Sequence, residues 1–278
     1  MLRQCVFATV VSLSLWALPA AAQDDQAAKI DALFDALALQ EMLLIMQEEG
    51  REYAMTLASD MFPDGDDASW AAAVAQIYDP EMMYEEVRGA FGEALEGDDI
   101  DGMLAFYTSE PGETIIDLEV SARRALLDEA VEAASKDNAA IAILDETPRY
   151  LLVHDFVDAN DLIETNIVGA LNSNYAFYMG LIDGGAGLPG VTSETALQDV
   201  WAQEPQIREN TTEWVYSFLL MAYQPLSDAE LRTYIAFSET EAGQDINTAL
   251  FEAFNGMFDD VSHALGLAAS RAMISQEL

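Results

Sequence analysis

The chain is poor in cysteine, histidine and lysine. Its 278 residues include one Cys (Cys5), two His (His154 and His263) and two Lys (Lys29 and Lys136). One cysteine excludes a disulfide framework. The two histidines stand in no His-Glu-x-x-His pattern, and there is no Gly-x-Ser-x-Gly elbow, so neither zincin nor serine-hydrolase chemistry has a foothold. Basic residues are scarce overall: 11 Lys and Arg face 50 Asp and Glu, for a net charge of -39. Such a surface repels phosphate backbones and anionic lipid, which excludes nucleic acid as a partner. Strand-like alternation of apolar and polar residues is also missing, so the expected fold class is all-α.

About half of the residues, 51%, are apolar, enough for a large core despite the charge. Residues 1–22 read as a secretory signal: Arg3 precedes an apolar run from Val6 to Leu18, and Ala20-Ala21-Ala22 leads to cleavage before Gln23. The run is too short to span a bilayer, so no integral membrane segment is expected after its removal. The mature chain is then cysteine-free, and the expected location is the periplasm or the medium.

Helical periodicity fills the rest. Ile30, Leu33, Phe34 and Leu37 open a helix expected to continue to about Met61, apolar on every side from Met42 to Met46. Asp79-Pro80 and Thr147-Pro148 each place a cap residue before a proline at the first helical position. Ser227-Asp228-Ala229-Glu230 is a capping box. A final helix carries Ile246, Leu250, Phe254, Met257, Phe258, Val261 and Leu265 along one stripe. Gly184 to Gly190, with four glycines and a proline, marks a loop at 183–193. It lacks a following Lys-Ser or Lys-Thr, so it is no phosphate cradle.

An offset of 131 residues lays Trp70 on Trp201, Leu104 on Ile235, Ala105-Phe106 on Ala236-Phe237, Glu110 on Glu241 and Gly112 on Gly243. Upstream, an offset of 120 fits better, and the extra residues fall in the stretch holding the glycine-rich loop, where a duplicated unit tolerates insertion. The expected organisation is two tandem pseudo-repeated helical units, 23–146 and 147–278, packed as one helical bundle. The shared element is Ala105-Phe106-Tyr107-Thr108-Ser109-Glu110-Pro111-Gly112 against Ala236-Phe237-Ser238-Glu239-Thr240-Glu241-Ala242-Gly243. Ser109 and Thr240 are expected to cap helices, Gly112 and Gly243 to allow close backbone approach, and the rings of Phe106 and Phe237 to be buried. This element resembles the Phe-Tyr-x-Ser-Pro-x-Gly signature of the exported helical family called domain of unknown function 2059. Glu110 and Glu241 stand where that family favours Pro, and Ser238 replaces Tyr. The resemblance reads closer over 148–270, with a diverged copy at 27–135. It implies an all-helical exported fold and brings no chemistry with it.

No residue set singles itself out as catalytic, cofactor-binding or metal-ligating. A calcium-loop frame from Gly97 has Asp99, Asp101 and Gly102 in place but lacks carboxylates at its first and twelfth positions. Carboxylates are too abundant for any pair to stand out. Arg123-Arg124 reads as salt-bridging to a neighbouring helix, and Met42, Met46, Met82, Met83 and Met257 read as core before groove. The expected function is a non-catalytic binding or interaction module acting on an unknown protein or a small apolar ligand, through a groove between the two halves. The alternative is a hydrolase using two carboxylates in that groove. A raised carboxylate pKa in a concave site favours the enzyme, and an apolar surface without one favours the binder.

Charge sets one expectation for stability. Folding crowds like charges together, and screening shortens from about 30 Å at 0.01 M to about 3 Å at 1 M ionic strength. The melting temperature should rise with sodium chloride over that range; a flat or falling trace overturns this.

Overall fold

The computed structural model describes residues 20–61, 67–185 and 190–276. The signal reading at 1–19 and the centre of the glycine-rich loop, 186–189, lie outside them. The described residues form thirteen helices and no strand: α1 (Ala20–Ala36), α2 (Leu39–Met61), α3 (Asp67–Ile77), α4 (Pro80–Ala94), α5 (Ile100–Tyr107), α6 (Glu110–Ala125), α7 (Glu129–Leu144), α8 (Pro148–Ala159), α9 (Leu162–Asp183), α10 (Ser193–Ala202), α11 (Glu204–Ala222), α12 (Asp228–Ser238) and α13 (Glu241–Gln276). They pack as a bundle around one apolar core running from Ile30 to Ala269, with a satellite of Ile167, Leu171 and Val200 under α9 and α10. No described helix is long and apolar enough to cross a membrane.

The caps lie where the sequence puts them. Asp79 Oδ1 accepts from the amides of Glu81 and Met82, Thr147 Oγ1 from that of Tyr150, and Ser227 and Glu230 complete their reciprocal box. The long first helix does not hold. It breaks between α1 and α2 at Ala38, whose φ of 49° is left-handed, a conformation that no helix continues through. Leu44 is exposed, so the Met42–Met46 run is not apolar-buried on every side.

Helix neighbours recur in the two halves. Helix α1 touches α2, α4 and α5, and α8 touches α9, α11 and α12; α2 touches α3, α4 and α6, and α9 touches α10, α11 and α13. Between the halves, α6 lies against α11 and α12 while α13 lies against α4 and α5. The α8–α9 break, at Asp161 with φ 48°, answers the α1–α2 break. Lys29 binds Asp101 in the first turn of α5, and Arg149 binds Asp228 in the first turn of α12. The pairing of Trp70 with Trp201 fails. Trp70 is buried with its indole N–H donated to the Ala54 carbonyl, whereas Trp201 ends α10 and is 61% exposed.

The scarce cations tie helices together: Arg88 to Asp31 joins α4 to α1, Lys136 to Glu213 joins α7 to α11, and Arg208 to Glu164 joins α11 to α9. Apolar helices alone would slide, whereas each ion pair fixes a register at little net energy.

Helices α9 and α13 run parallel with Gly169 at Asn255, Ser173 at Asp259, Gly180 at Gly266 and Gly184 at Ser270. A Cβ on Gly180 would collide with the His263 carbonyl, and one on Gly266 with the Phe177 carbonyl. Both neighbours are backbone and cannot swing aside. Gly180→Ala or Gly266→Ala should therefore lower stability by about 1–3 kcal/mol. Gly256→Ala, on the same helix with open space around it, should raise it by up to about 1 kcal/mol. Urea titration decides; equal effects at the three sites would refute the close-packed crossing.

Candidate functional site

The site starts from two similar elbows. In α5–α6, Ser109 Oγ donates to the Phe106 carbonyl at 2.5 Å and accepts from the Gly112 amide at 3.4 Å. In α12–α13, Thr240 Oγ1 donates to the Phe237 carbonyl at 2.6 Å and accepts from the Gly243 amide at 3.1 Å. A Cβ on Gly112 would strike the Phe106 carbonyl, and one on Gly243 the Phe237 carbonyl, so both glycines are required by close approach. The elbows face each other. Phe106 and Phe237 stack with centroids 3.9 Å apart and planes within 4°, while Tyr107 meets both rings edge-on. Neither phenylalanine is fully buried as expected: both remain half-exposed, covering each other.

From this junction α6 runs inward and presents Glu119 on its apolar face, between Ile116 and Val120, with Arg123 one turn on. Tyr223, at the end of α11 and fully buried, donates its hydroxyl to Glu119 Oε1 at 2.6 Å. Tyr234 of α12 and Tyr107 of α5 complete the polar group around it, close enough for the charge states of the three to be coupled. Glu119 thus carries a hydrogen bond from the second half of the chain. Burial pushes its pKa up to about 7 against the opposing effect of the two tyrosine donors. Its accessible surface is only partly lost because the side chain faces a cavity. Burial also drives Tyr107, Tyr223 and Tyr234 upward, so all three stay protonated.

That cavity, of about 300 Å³, lies between the halves. Met42 and Met46 of α2, Trp214 and Phe218 of α11, and Leu250 and Phe254 of α13 wall it, each half-buried. A second cavity of about 260 Å³ adjoins it across Met46, Arg123 and Phe258. The Arg123 guanidinium is held in a fork by both carboxylate oxygens of Glu49 and lies 4.7 Å above the Trp214 ring. Of the residues lining the first cavity, only Glu119 and Arg123 carry charge groups. A larger groove of about 720 Å³ lies between α7 and α11, but Ala130, Ala134 and Ala142 form much of its wall, and its Arg149 is engaged by the Leu226 carbonyl and Asp228.

Several sequence readings resolve here. Arg123 and Arg124 bridge α6 to α2 through Glu49 and Glu41. The methionines divide: Met83 and Met257 are core, Met42 and Met46 line the cavity, and Met82 is exposed. Asp99 of the calcium frame caps α5 through the Gly102 amide, and Asp101 pairs with Lys29. No three His, Cys, Asp or Glu among the described residues gather to hold a metal ion. His154 pairs with the Tyr216 hydroxyl and His263 with Asp183. Sequence reasoning missed Glu119, Tyr223 and Tyr234, although a carboxylate amid Ile115, Ile116 and Val120 on one helical face was a readable signal.

Residues 81–140 match the model of a bacterial family described as "Uncharacterized protein conserved in bacteria (DUF2059)". The family resemblance is therefore real, and the match runs from α4 into α7, in the first half, not over 148–270 where the motif reads closer. No curated protein and no solved structure matches the chain.

The raised Glu119 pKa fixes a pH dependence. The folded chain holds this proton up to about pH 7, while an unfolded glutamate releases it near 4.5. Stability from this group is therefore full below about 4.5 and falls as pH rises to about 7, by up to about 3 kcal/mol. Subtracting the stability–pH curve of Glu119→Gln from that of the wild type should leave this downward step. Parallel curves would contradict it.

Proposed function

We propose that this is an exported, non-catalytic binding protein built from two tandem pseudo-repeated helical units, which holds a small apolar ligand in the cavity between them. The observation that carries the reading is the cavity itself: six half-buried apolar and aromatic side chains from three helices of both halves wall it, and Glu119 is the one carboxyl group among a few polar lining residues that include Arg123, Asn166, Asn247 and Asn255. Ligand sites have this composition, mostly apolar walls with a few placed polar groups, and they favour the junction between units. The signal-like first residues support release to the periplasm or medium.

A second reading is favoured by one observation. A carboxyl group held protonated to about pH 7 in a concave site is suited to general-acid catalysis, the alternative of a carboxylate hydrolase. That chemistry needs a second carboxylate free to act, and Glu49, the nearby candidate, is occupied by both nitrogens of its Arg123 fork. Binding is therefore the better reading.

The test uses a neutral naphthylamine dye whose emission rises in apolar surroundings. The wild type should bind it saturably. Leu250→Trp, which fills the cavity from α13, should weaken binding at least tenfold while leaving helical content unchanged. Equal binding by both proteins would remove the cavity from the account. Turnover in a hydrolase screen that disappears in Glu119→Gln would replace binding with catalysis.

A further inference from the structure

The cavity's charges decide what kind of head group it can take. Resting on the binding reading above, we propose that its ligand is an uncharged amphiphile: an elongated apolar body with one oxygen acceptor, a carbonyl or hydroxyl, placed against Glu119 and Tyr234.

An anionic head finds no cation to receive it. Arg123 is the only cation lining the cavity, and both of the nitrogens that form its fork are committed to Glu49. Its remaining face lies over Trp214. Glu119 adds repulsion whenever it is ionised, and leaving a buried anion unpaired costs far more than the apolar contacts return. A cationic head meets Arg123 one helical turn from Glu119, and finds Glu119 protonated up to about pH 7. A neutral acceptor meets neither obstacle.

The hydrogen-bond directions add to this. Tyr223 donates to Glu119, and Tyr234 also favours its charged form. In the protonated acid the Tyr223 hydroxyl occupies an acceptor position on Oε1, so the acid's own proton is directed to a different acceptor. The side chain lines the cavity, where a ligand oxygen can accept that proton. The groups facing Glu119 from each element around it are Tyr107 on α5, Tyr223 at the end of α11 and Tyr234 on α12, with Arg123 on its own helix. None of the three phenols titrates near neutrality. An elongated body fits because a second cavity, sharing Met46, Arg123 and Phe258 with the first, offers adjoining space.

The experiment is displacement of the naphthylamine dye from the full mature chain by four medium-chain probes of equal length: a methyl ketone, a primary alcohol, a fatty-acid anion and an alkylammonium. At about pH 6.5 the ketone and alcohol should compete at least tenfold more strongly than either ion. Raising the pH to about 8.5 should weaken the ketone several-fold in the wild type. Glu119→Gln, whose amide keeps a donor, should bind the ketone with no pH dependence. A fatty-acid anion that competes as well as the ketone overturns the proposal, as does an alkylammonium that tightens at high pH. Dye binding without head-group discrimination refutes this inference alone, whereas absence of dye binding refutes the cavity as a site. The wild-type series decides even if the variant fails to fold.

Discussion

Two phenylalanine rings lying flat on each other at 3.9 Å mark the point where the two halves meet, and the centre of the molecule is arranged around that contact. Free aromatic pairs favour offset or edge-on packing, so a near-eclipsed stack must be held by its surroundings. Here the holding is done by backbone. Gly112 and Gly243 let each helix start against the end of the one before it, and Ser109 and Thr240 lock the turn by bonding in both directions. Tyr107 and Tyr234 close the box from the sides. With the elbows fixed, α6 and α13 diverge from a common origin, and the space that opens between them, bounded by α2 and α11, is the cavity.

A chain with so few cations holds its helices by other means. Gly180 against Gly266 allows α9 and α13 to approach until backbone meets backbone, gaining dispersion contacts that larger residues would forbid. The few Lys and Arg side chains then act as register pins between helices that the apolar core alone leaves free to slide. Arg123 is the exception, since its pairing with Glu49 also closes off the only cation inside the cavity.

Much of the fold was legible because it rests on local rules. Asp79-Pro80, Thr147-Pro148 and Ser227 to Glu230 announce helix starts through side chains that must satisfy free amides, and those starts lie where read. The break at Ala38 was illegible because nothing in Leu37-Ala38-Leu39 disfavours helix, and α1 beyond it packs on α4 and α5. Trp70 and Trp201 misled because an offset fixed by the elbows does not extend across loops of unequal length. Glu119 was masked by abundance: in a chain with 50 acids its place on the apolar face of α6 is the one local signal, and its partners, Tyr223 and Tyr234, lie more than one hundred residues away.

The same offset that aligns the elbows also exposes an asymmetry. Glu119 corresponds to Leu250, Arg123 to Phe254 and Tyr234 to Met103. Leu250 and Phe254 line the same cavity as the residues they mirror. One wall is therefore polar and the other apolar at equivalent positions of similar elements. Two identical units would enclose two like carboxyl groups facing each other, whose ionisation would force the halves apart. With leucine and phenylalanine at the second pair of positions that repulsion is absent, and Glu119 is the one carboxyl group lining the cavity. The halves meet at the phenylalanine stack, and the contrast between Glu119 and Leu250 is what gives the cavity a direction.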